Sequence, residues 1–490
     1  MMTCRSDWHV VYGPPGTGKT TFGMRYVEER LQRGVPPSQI GYISFTRQAA
    51  IEARRRAMEQ FDLTPDDLPY FRTIHSLCFH QLNLRPDKLM QKSNWLELGE
   101  IIGVEVSGQQ LNEDAYALGM PIGDRLFFLD NLARITRRGL RAVYEDTVDD
   151  DLSYDQLLVA SKALAKYKAK HMLWDFTDIL ARFVEKNAAP RLQSLFVDEA
   201  QDLSRLQWEV VHKLSQNVEE LYAAGDDDQA IYRWAGASVE DFIELPGTRT
   251  VLDKSFRVPD AVHQLACEVS GRIQKRAPKQ FKPSGVDGYV DYQFSVDDLD
   301  LSTGQWLLLA RNAYLLRDYE RICEQNGYAY ESPSRKPLQS KALEAIKDWT
   351  RLGKGETVYG RQLKNIRRFH GFKMRQIDDE RIYTLADLDV DYGPWHEVFE
   401  RISPTLAEYF LAARRNGEKL GKPRIKISTI HGVKGGEADH VAIITDLAAR
   451  SHRYMQMFPD DEHRVFYVGL TRAKQGVTII QPNSRMFYEM

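Results

Sequence analysis

Short apolar runs alternate along this chain with segments in which apolar residues recur every three or four positions. A first series of runs comprises Trp8–Tyr12, Ile40–Thr46, Phe71–His75, Leu195–Asp198 and Leu221–Gly225. A second comprises Trp306–Ala310, Ile425–Ile430, His440–Thr445 and Val477–Ile480, with Thr250–Phe256 leading into it. Such runs, separated by helical periodicity, predict strands of parallel sheets covered by helices, because a strand buried on both faces has no polar side. Each series is interrupted. Residues 86–189 read as mainly helical, as in SYDQLLVASKALAKYKAKH (153–171), and 341–421 show helical patterns broken by glycine, proline and basic residues. The expected class is α/β, with two parallel-sheet domains that each carry a mainly helical insertion. The first is 1–85 with 190–248, interrupted by 86–189; the second is 249–340 with 422–490, interrupted by 341–421.

At 490 residues the chain exceeds a single core, in keeping with several domains. A formal charge of −3 excludes gripping nucleic acid by bulk positive charge, so any such contact must come from local basic strips. Arg361–Gln376 (RQLKNIRRFHGFKMRQ), with six Lys or Arg and no acid, is either a solvated helix face or a phosphate-contacting surface. The acidic stretch Glu145–Asp155 reads as an exposed loop rather than a metal site. Cys4, Cys78, Cys267 and Cys323 form no C-x-x-C pair, which fits a reducing compartment and argues against a zinc or disulfide framework. The N-terminus lacks a signal pattern and no apolar run reaches membrane-spanning length. A soluble cytoplasmic protein, in a bacterium or a virus-infected cell, is expected.

Chemistry enters with Gly13-Pro14-Pro15-Gly16-Thr17-Gly18-Lys19-Thr20, which matches G-x-x-x-x-G-K-[ST] between an apolar strand and a helical pattern. Glycines let backbone N–H groups face phosphates, and the helix N-terminus adds its dipole. Lys19 is expected on the β- and γ-phosphates and the Thr20 hydroxyl on Mg²⁺, making this a nucleoside-triphosphate site. In LFVDEAQD, Asp198 and Glu199 stand at the end of an apolar run, the edge where ligands sit in open α/β sheets. Asp198 suits the Mg²⁺ shell, and Glu199 can orient or deprotonate the attacking water.

With these motifs in place the chain resembles the UvrD/Rep family of superfamily 1A DNA helicases, in a compact form with a reduced second insertion. The resemblance rests on ISFTRQAAIEARRR (43–56), FRTIHSLCF (71–79), DFTDIL (175–180), VDEAQD (197–202), GDDDQAIYRWAGA (225–237), LDKSFR (252–257), LLLARNA (307–313), ISTIHGVKGGEADHVAII (427–444) and VFYVGLTRAK (465–474). It implies two RecA-like domains with ATP hydrolysed in the cleft between them. Gln229 would sense the γ-phosphate, Arg257 and Arg472 would reach it from the second domain, and Glu437 would hold the ribose. Phe45, Tyr232 and Trp234 would stack on bases, and Thr73 with His75 would touch the strand. Thr46, Asn312, Thr429 and His431 would line the same channel. A packed aromatic and a core histidine are the plainer readings of Tyr232 and His75.

Three departures from the family stand out. No Gln precedes Gly13, and Thr21 replaces an Arg that often stacks on adenine, although Phe256 keeps its aromatic partner; relaxed base selectivity is expected. Ala235 stands where an Arg commonly follows the stacking Trp. The second insertion is short, which predicts an unregulated helicase or a translocase that unwinds poorly. The resemblance implies a monomeric 3′→5′ motor on single-stranded DNA and single-strand/duplex junctions, with a replication or repair partner. An RNA track, 5′→3′ movement, or an ATP-gated nucleic-acid switch without movement are the alternatives.

Overall fold

The computed structural model describes residues 7–108, 120–147, 149, 151–333, 337–374 and 376–490. The N-terminal hexapeptide with Cys4, Val148 and Asp150 of the acidic stretch, and Arg375 of the basic strip lie outside the described residues.

The first sheet contains β1 (Asp7–Tyr12), β2 (Ile40–Ser44), β3 (Phe71–Thr73), β4 (Leu192–Asp198), β5 (Val218–Gly225) and β6 (Thr248–Val251). Its strands run parallel in the order β3-β2-β4-β5-β1-β6. Side-chain alternation divides the core in two. Val10, Tyr12, Leu195, Val197, Leu221 and Ala223 pack on one face, and Val11, Tyr42, Phe196 and Ala224 on the other. Of Thr250–Phe256, expected to lead into the second sheet, Thr250 and Val251 instead complete β6, which pairs with β1 from His9↔Thr248 to Tyr12↔Val251. The expected runs through Thr46 and His75 also stop early. Thr46, past the end of β2, and Thr73, the last residue of β3 opposite Ser44, cap the helices Arg47–Phe61 and Ile74–Gln81, accepting from Ala49 N (3.2 Å) and Ser76 N (3.3 Å).

The second sheet begins with β7 (Tyr289–Gln293), β8 (Trp306–Ala310) and β9 (Tyr330–Glu331). A two-stranded antiparallel ribbon, β10 (Val358–Tyr359) and β11 (Ile382–Tyr383), stands apart. β12 (Ile425–Thr429), β13 (Ala438–Ile444) and β14 (Ala473–Ile480) complete the parallel order β7-β14-β13-β8-β12-β9. The edge strands β7 and β9 gave no apolar signal: β7, YVDYQ, is largely exposed and β9 has two residues.

The two interruptions differ in how they are held. Between β3 and β4, the helices Lys92–Ile102, Ile122–Ile135 and Tyr154–His171 enclose their own core, with Leu98, Leu126, Leu129, Leu157 and Leu164 inside. Helix Tyr154–His171 shows why such a segment forms. Ser153 and Gln156 make a reciprocal capping box, Leu157, Ala160, Leu164 and Tyr167 bury one stripe, and Lys168, Lys170 and His171 suit the negative C-terminal end. The next helix, Phe176–Lys186, instead buries Ile179, Leu180 and Phe183 in the core of the first sheet. Between β9 and β12, the helices Pro337–Gly353, Gly360–His370 and Pro404–Arg415 share one continuous core with the second sheet, where Trp349, Leu363, Ile366, Phe369 and Phe410 meet Trp306, Leu308, Ile425 and Ile427.

In the acidic stretch, expected to be an exposed loop, Asp149 is buried and paired with Arg125 at 2.7 Å. In the basic strip, Arg361, Lys364 and Arg368 line the exposed face of Gly360–His370; Lys364 pairs with Asp379 at 2.9 Å, and Arg367 donates to the Met374 carbonyl. Among the described residues no helix is long and apolar enough to cross a membrane.

Candidate nucleotide site and strand track

The loop after β1 is tied at both ends. Gly13 N donates to the Gly225 carbonyl at the end of β5 (2.8 Å), and Thr17 closes the turn by donating its hydroxyl (2.8 Å) and amide (3.2 Å) to the Pro14 carbonyl. Gly18, at φ 82°, leads into helix Lys19–Gln32. Gly16 is required twice over. Its φ is +73°, and a Cβ there would lie 2.6 Å from Arg257 Cβ and 2.8 Å from Ser255 Oγ. Lys19 Nζ donates back to the Gly13 carbonyl at 2.8 Å. Thr20 is half-buried on the first helical turn, and Thr21 is exposed.

The segment following β6 clasps this loop from the other side. Ser255 Oγ donates to the Pro15 carbonyl (2.8 Å) and Phe256 N to the Gly16 carbonyl (2.9 Å). The backbone of Phe256 is thereby fixed while its ring stays 77% exposed, free to present a face. Arg257 donates through Nη1 to Glu437 at 3.2 Å, but its Nε is buried without a hydrogen-bond partner. Burial pushes its pKa down against the opposing pull of Glu437. Glu437 also meets Lys474 at 2.6 Å; despite desolvation, these two cations hold its carboxyl below the usual range.

At the end of β4, Asp198 Oδ2 accepts from the Tyr42 hydroxyl (2.9 Å) and Oδ1 from Glu199 N (3.0 Å). Burial, and then the adjacent Glu199 charge, raise its pKa. Glu199 occupies the left-handed region (φ 51°, ψ 41°), a conformation costing a non-glycine residue about 1–3 kcal/mol. Gln201 Nε2 donates to its Oε2 at 2.6 Å. Although burial opposes ionisation, Lys19 and Lys434 draw the Glu199 carboxyl below its ordinary value. Two neighbouring carboxylates are thus driven apart, one toward holding a proton and one toward releasing it.

Two residues from the second sheet's loops complete the cleft. Arg472, just before β14, donates from Nη2 to Gln229 Oε1 (2.8 Å) and from Nε to the Val468 carbonyl (3.0 Å). Burial first and the like charge of Arg257 second lower its pKa to about 9, the mark of a cation short of anionic partners. Gln229 Nε2 in turn donates to Asp226 at 2.6 Å. Lys434, beyond β12, donates to both Asp202 oxygens (2.7 and 2.6 Å) and to the Gln229 carbonyl (2.9 Å), with its ammonium 4.8 Å from the Tyr232 ring centroid.

The expected track residues lie along the same sheet edges. Phe45 and Tyr232 stack with centroids 5.8 Å apart. Trp234 lies 5.9 Å from Phe128 of the helical insertion at 13° between planes, and its indole N–H is buried without a partner. Thr46 is exposed and Thr73 half-buried, both with hydroxyls engaged in helix caps. His75 meets Phe176 edge-on at 5.8 Å; part of its ring reaches the surface, yet desolvation lowers its pKa to about 4. On the second sheet, Asn312 is buried, donating to Ser451 Oγ (2.9 Å) and accepting from Ala448 N (2.8 Å). Thr429 is buried and accepts from Gly432 N, and His431 is buried and desolvated, its pKa well below the ordinary histidine value. In this conformation the polar groups of Asn312 and Thr429 serve the protein's own loops.

Tyr42, Gln201, Asp202, Ser255 and Lys434 belong to the site and were not singled out. Gln201, Asp202, Ser255 and Lys434 sit inside motifs already quoted, so a signal existed. Tyr42 lies in the apolar run of β2 and gave none.

Residues 2–248 match the model of the UvrD/REP helicase N-terminal domain, and 317–484 match the UvrD-like helicase C-terminal domain. A probable DNA helicase of Mycoplasma pneumoniae is 29% identical over 448 residues, covering 84% of this chain and 81% of the relative. A probable DNA helicase II homolog of the same organism is 22% identical over 67% of this chain, and the ATP-dependent DNA helicase PcrA of Bacillus subtilis 26% over 60%. The chain spans only 49% and 41% of those two proteins' lengths. The family model spans half of the chain, and both parallel sheets carry the matching motifs, so this chain belongs to the UvrD/REP family of ATP-dependent DNA helicases.

Proposed function

We propose that this protein is a monomeric, ATP-driven motor that moves 3′→5′ along single-stranded DNA and opens single-strand/duplex junctions. The two motor domains and their insertions follow the division given above from the sequence, except that Arg249–Val251 and the helix Phe176–Lys186 go with the first motor domain. The observation that carries the reading is the reach of Arg472 and Lys434 across the cleft, to Gln229 and Asp202 on the first-sheet side. Lys434 also faces Tyr232, so one side chain touches both the nucleotide cleft and the proposed track.

ATP lies against the Gly13–Thr20 loop with its base on Phe256 and its ribose at Glu437. Lys19 turns from the Gly13 carbonyl to the phosphates. Arg257, through its unpartnered Nε, and Arg472 stabilise charge developing on the γ-phosphoryl group. Glu199, drawn toward ionisation by Lys19 and Lys434, accepts the proton of the attacking water. The hydroxyl of Thr20 and the carboxylate of Asp198 are hard oxygen donors. Among the described residues no cluster of three or more His, Cys, Asp or Glu could cage a metal by itself. That suits Mg²⁺, which takes one or two protein oxygens together with substrate phosphates, and which neutralises phosphate charge when bound. Loss of the γ-phosphate frees both arginines, the cleft relaxes, and bases step past Phe45, Tyr232 and Trp234.

The test is strand displacement on 3′-tailed and 5′-tailed duplexes, beside streptavidin displacement from end-labelled single strands of DNA and RNA. Displacement of 3′-tailed DNA substrates alone supports the reading. A 5′ preference or an RNA preference replaces it with those motors, and DNA-indifferent ATPase without displacement replaces it with a switch.

A further inference from the structure

Three consecutive aspartates, Asp226, Asp227 and Asp228, are all fully buried where the first sheet meets the second. Buried carboxylates this close repel one another and need cations. Arg276 reaches only Asp228 (3.1 and 2.6 Å), and Arg464 donates to the Asp227 backbone carbonyl (2.9 Å) and to Asp461, not to any of these three carboxylates. Lys279 meets all three: Asp227 Oδ1 at 2.6 Å, Asp228 Oδ2 at 2.8 Å and Asp226 Oδ1 at 3.4 Å, with its side chain 1% exposed. Ala277 N adds a 2.7 Å hydrogen bond to Asp227, and the Tyr12 ring centroid lies 6.0 Å from the Lys279 ammonium. Buried Tyr467 faces the same carboxylates.

Asp226 is the node through which this cluster touches the chemistry. Its Oδ2 accepts from Gln229 Nε2 (2.6 Å), and its backbone N–H donates to Gln201 Oε1 (3.0 Å). Gln201 then donates to Glu199 (2.6 Å). The two ends of a glutamine amide are nearly alike in shape but opposite in hydrogen bonding. An ionised carboxylate only accepts, so an anchored Asp226 compels Gln229 to turn Nε2 toward it and Oε1 toward the cleft, where Arg472 meets it.

We infer that Lys279 is a positioning residue for ATP hydrolysis: by pinning Asp226 it sets which end of the Gln229 amide faces the γ-phosphate and steadies the Gln201–Glu199 contact. The inference rests on the hydrolytic roles proposed above for Gln229 and Glu199. In Lys279→Met, kcat for ATP should fall by about tenfold or more, while KM for ATP and the dissociation constant for an oligo-dT strand stay within about threefold of the wild type. A purely structural lysine would lower all activities together, in step with the folded fraction.

The measurement is steady-state ATPase with and without oligo-dT, beside fluorescence anisotropy for strand binding and circular dichroism for folding. Turnover within about twofold of the wild type overturns the inference, as does a loss of turnover matched by an equal loss of folded, dT-binding protein. Asp226→Asn provides an independent arm if Lys279→Met folds poorly. It leaves Lys279 with Asp227 and Asp228, but its side-chain amide can offer Gln229 either a donor or an acceptor. The same split of kcat from KM is expected, and wild-type turnover in Asp226→Asn overturns the inference by itself. Absence of dT stimulation in the wild type would defeat the motor reading, while basal turnover would still decide the role of Lys279.

Discussion

Replacing Lys434 by Met removes the cation that joins the two sides of the cleft. Asp202 is buried and Lys434 largely so, at 2% and 11% side-chain exposure, and the ammonium has two carboxylate contacts, a carbonyl and an aromatic face. Asp202 is strained even with this partner: burial raises its pKa to about 6 against the pull of Lys434. Because that lies above the unfolded value of about 3.9, the group favours the folded state at low pH. Its contribution is lost as pH rises toward about 6, above which the wild type is level. Without Lys434 the folded pKa climbs further, so the loss continues through pH 7 and 8 at about 1.4 kcal/mol per pH unit. Losing the hydrogen bond to the Gln229 carbonyl adds about 1.5–3 kcal/mol at any pH. The sum near pH 8 is about 4–6 kcal/mol, overlapping the 3–5 kcal/mol typical of a broken buried ion pair. Urea unfolding followed by tryptophan fluorescence at pH 6, 7 and 8 should show a gap between variant and wild type that widens with pH. A gap that is constant or narrows would mean that Asp202 is rescued by water or another cation, and the reasoning fails.

Other substitutions test other parts of the site. Gly16→Ala sets a Cβ against Arg257 and Ser255 at a positive φ; it should cost about 1–3 kcal/mol of stability and raise KM for ATP, visible together in thermal melts and ATPase assays. Glu199→Gln keeps the shape but loses the proton acceptor, so turnover should fall by about 10²–10⁴ while ATP binding persists on filters. Trp234→Ala should weaken strand binding by about 1–3 kcal/mol and reduce DNA-stimulated hydrolysis more than the basal rate. Unfolding with stimulation intact would assign the ring to packing on Phe128 instead.

Much of this was legible because the chemistry is local in the chain. Strands β1, β4 and β5 and the loop Gly13–Thr20 announce themselves by apolar runs that end in Gly or Asp, and the structure sets these ends side by side. Edge strands were harder. β7 is exposed on most of its length, so burial never selected an apolar run, and β6 reads as a lead-in because its partner β1 lies more than two hundred residues away. The buried state of Asn312 was also hidden, since the residue that engages it, Ser451, follows 139 positions later. Lys279 and the three aspartates carry the same lesson, for neighbouring charges along a chain reveal nothing about which distant cation neutralises them.

The helices between β9 and β12 have no core apart from the second sheet's, whereas those between β3 and β4 keep one of their own. The two interruptions should therefore meet opposite fates under protein engineering. Excising the first would remove a self-contained block and leave the sheet beneath it intact, except for the helix that buries Phe183. Excising the second would strip Trp306, Leu308 and Ile427 of their cover and take the whole lobe with it. For the motor proposed above, this segment would be ballast welded to its carriage, so force arising at Arg472 would arrive there without slack.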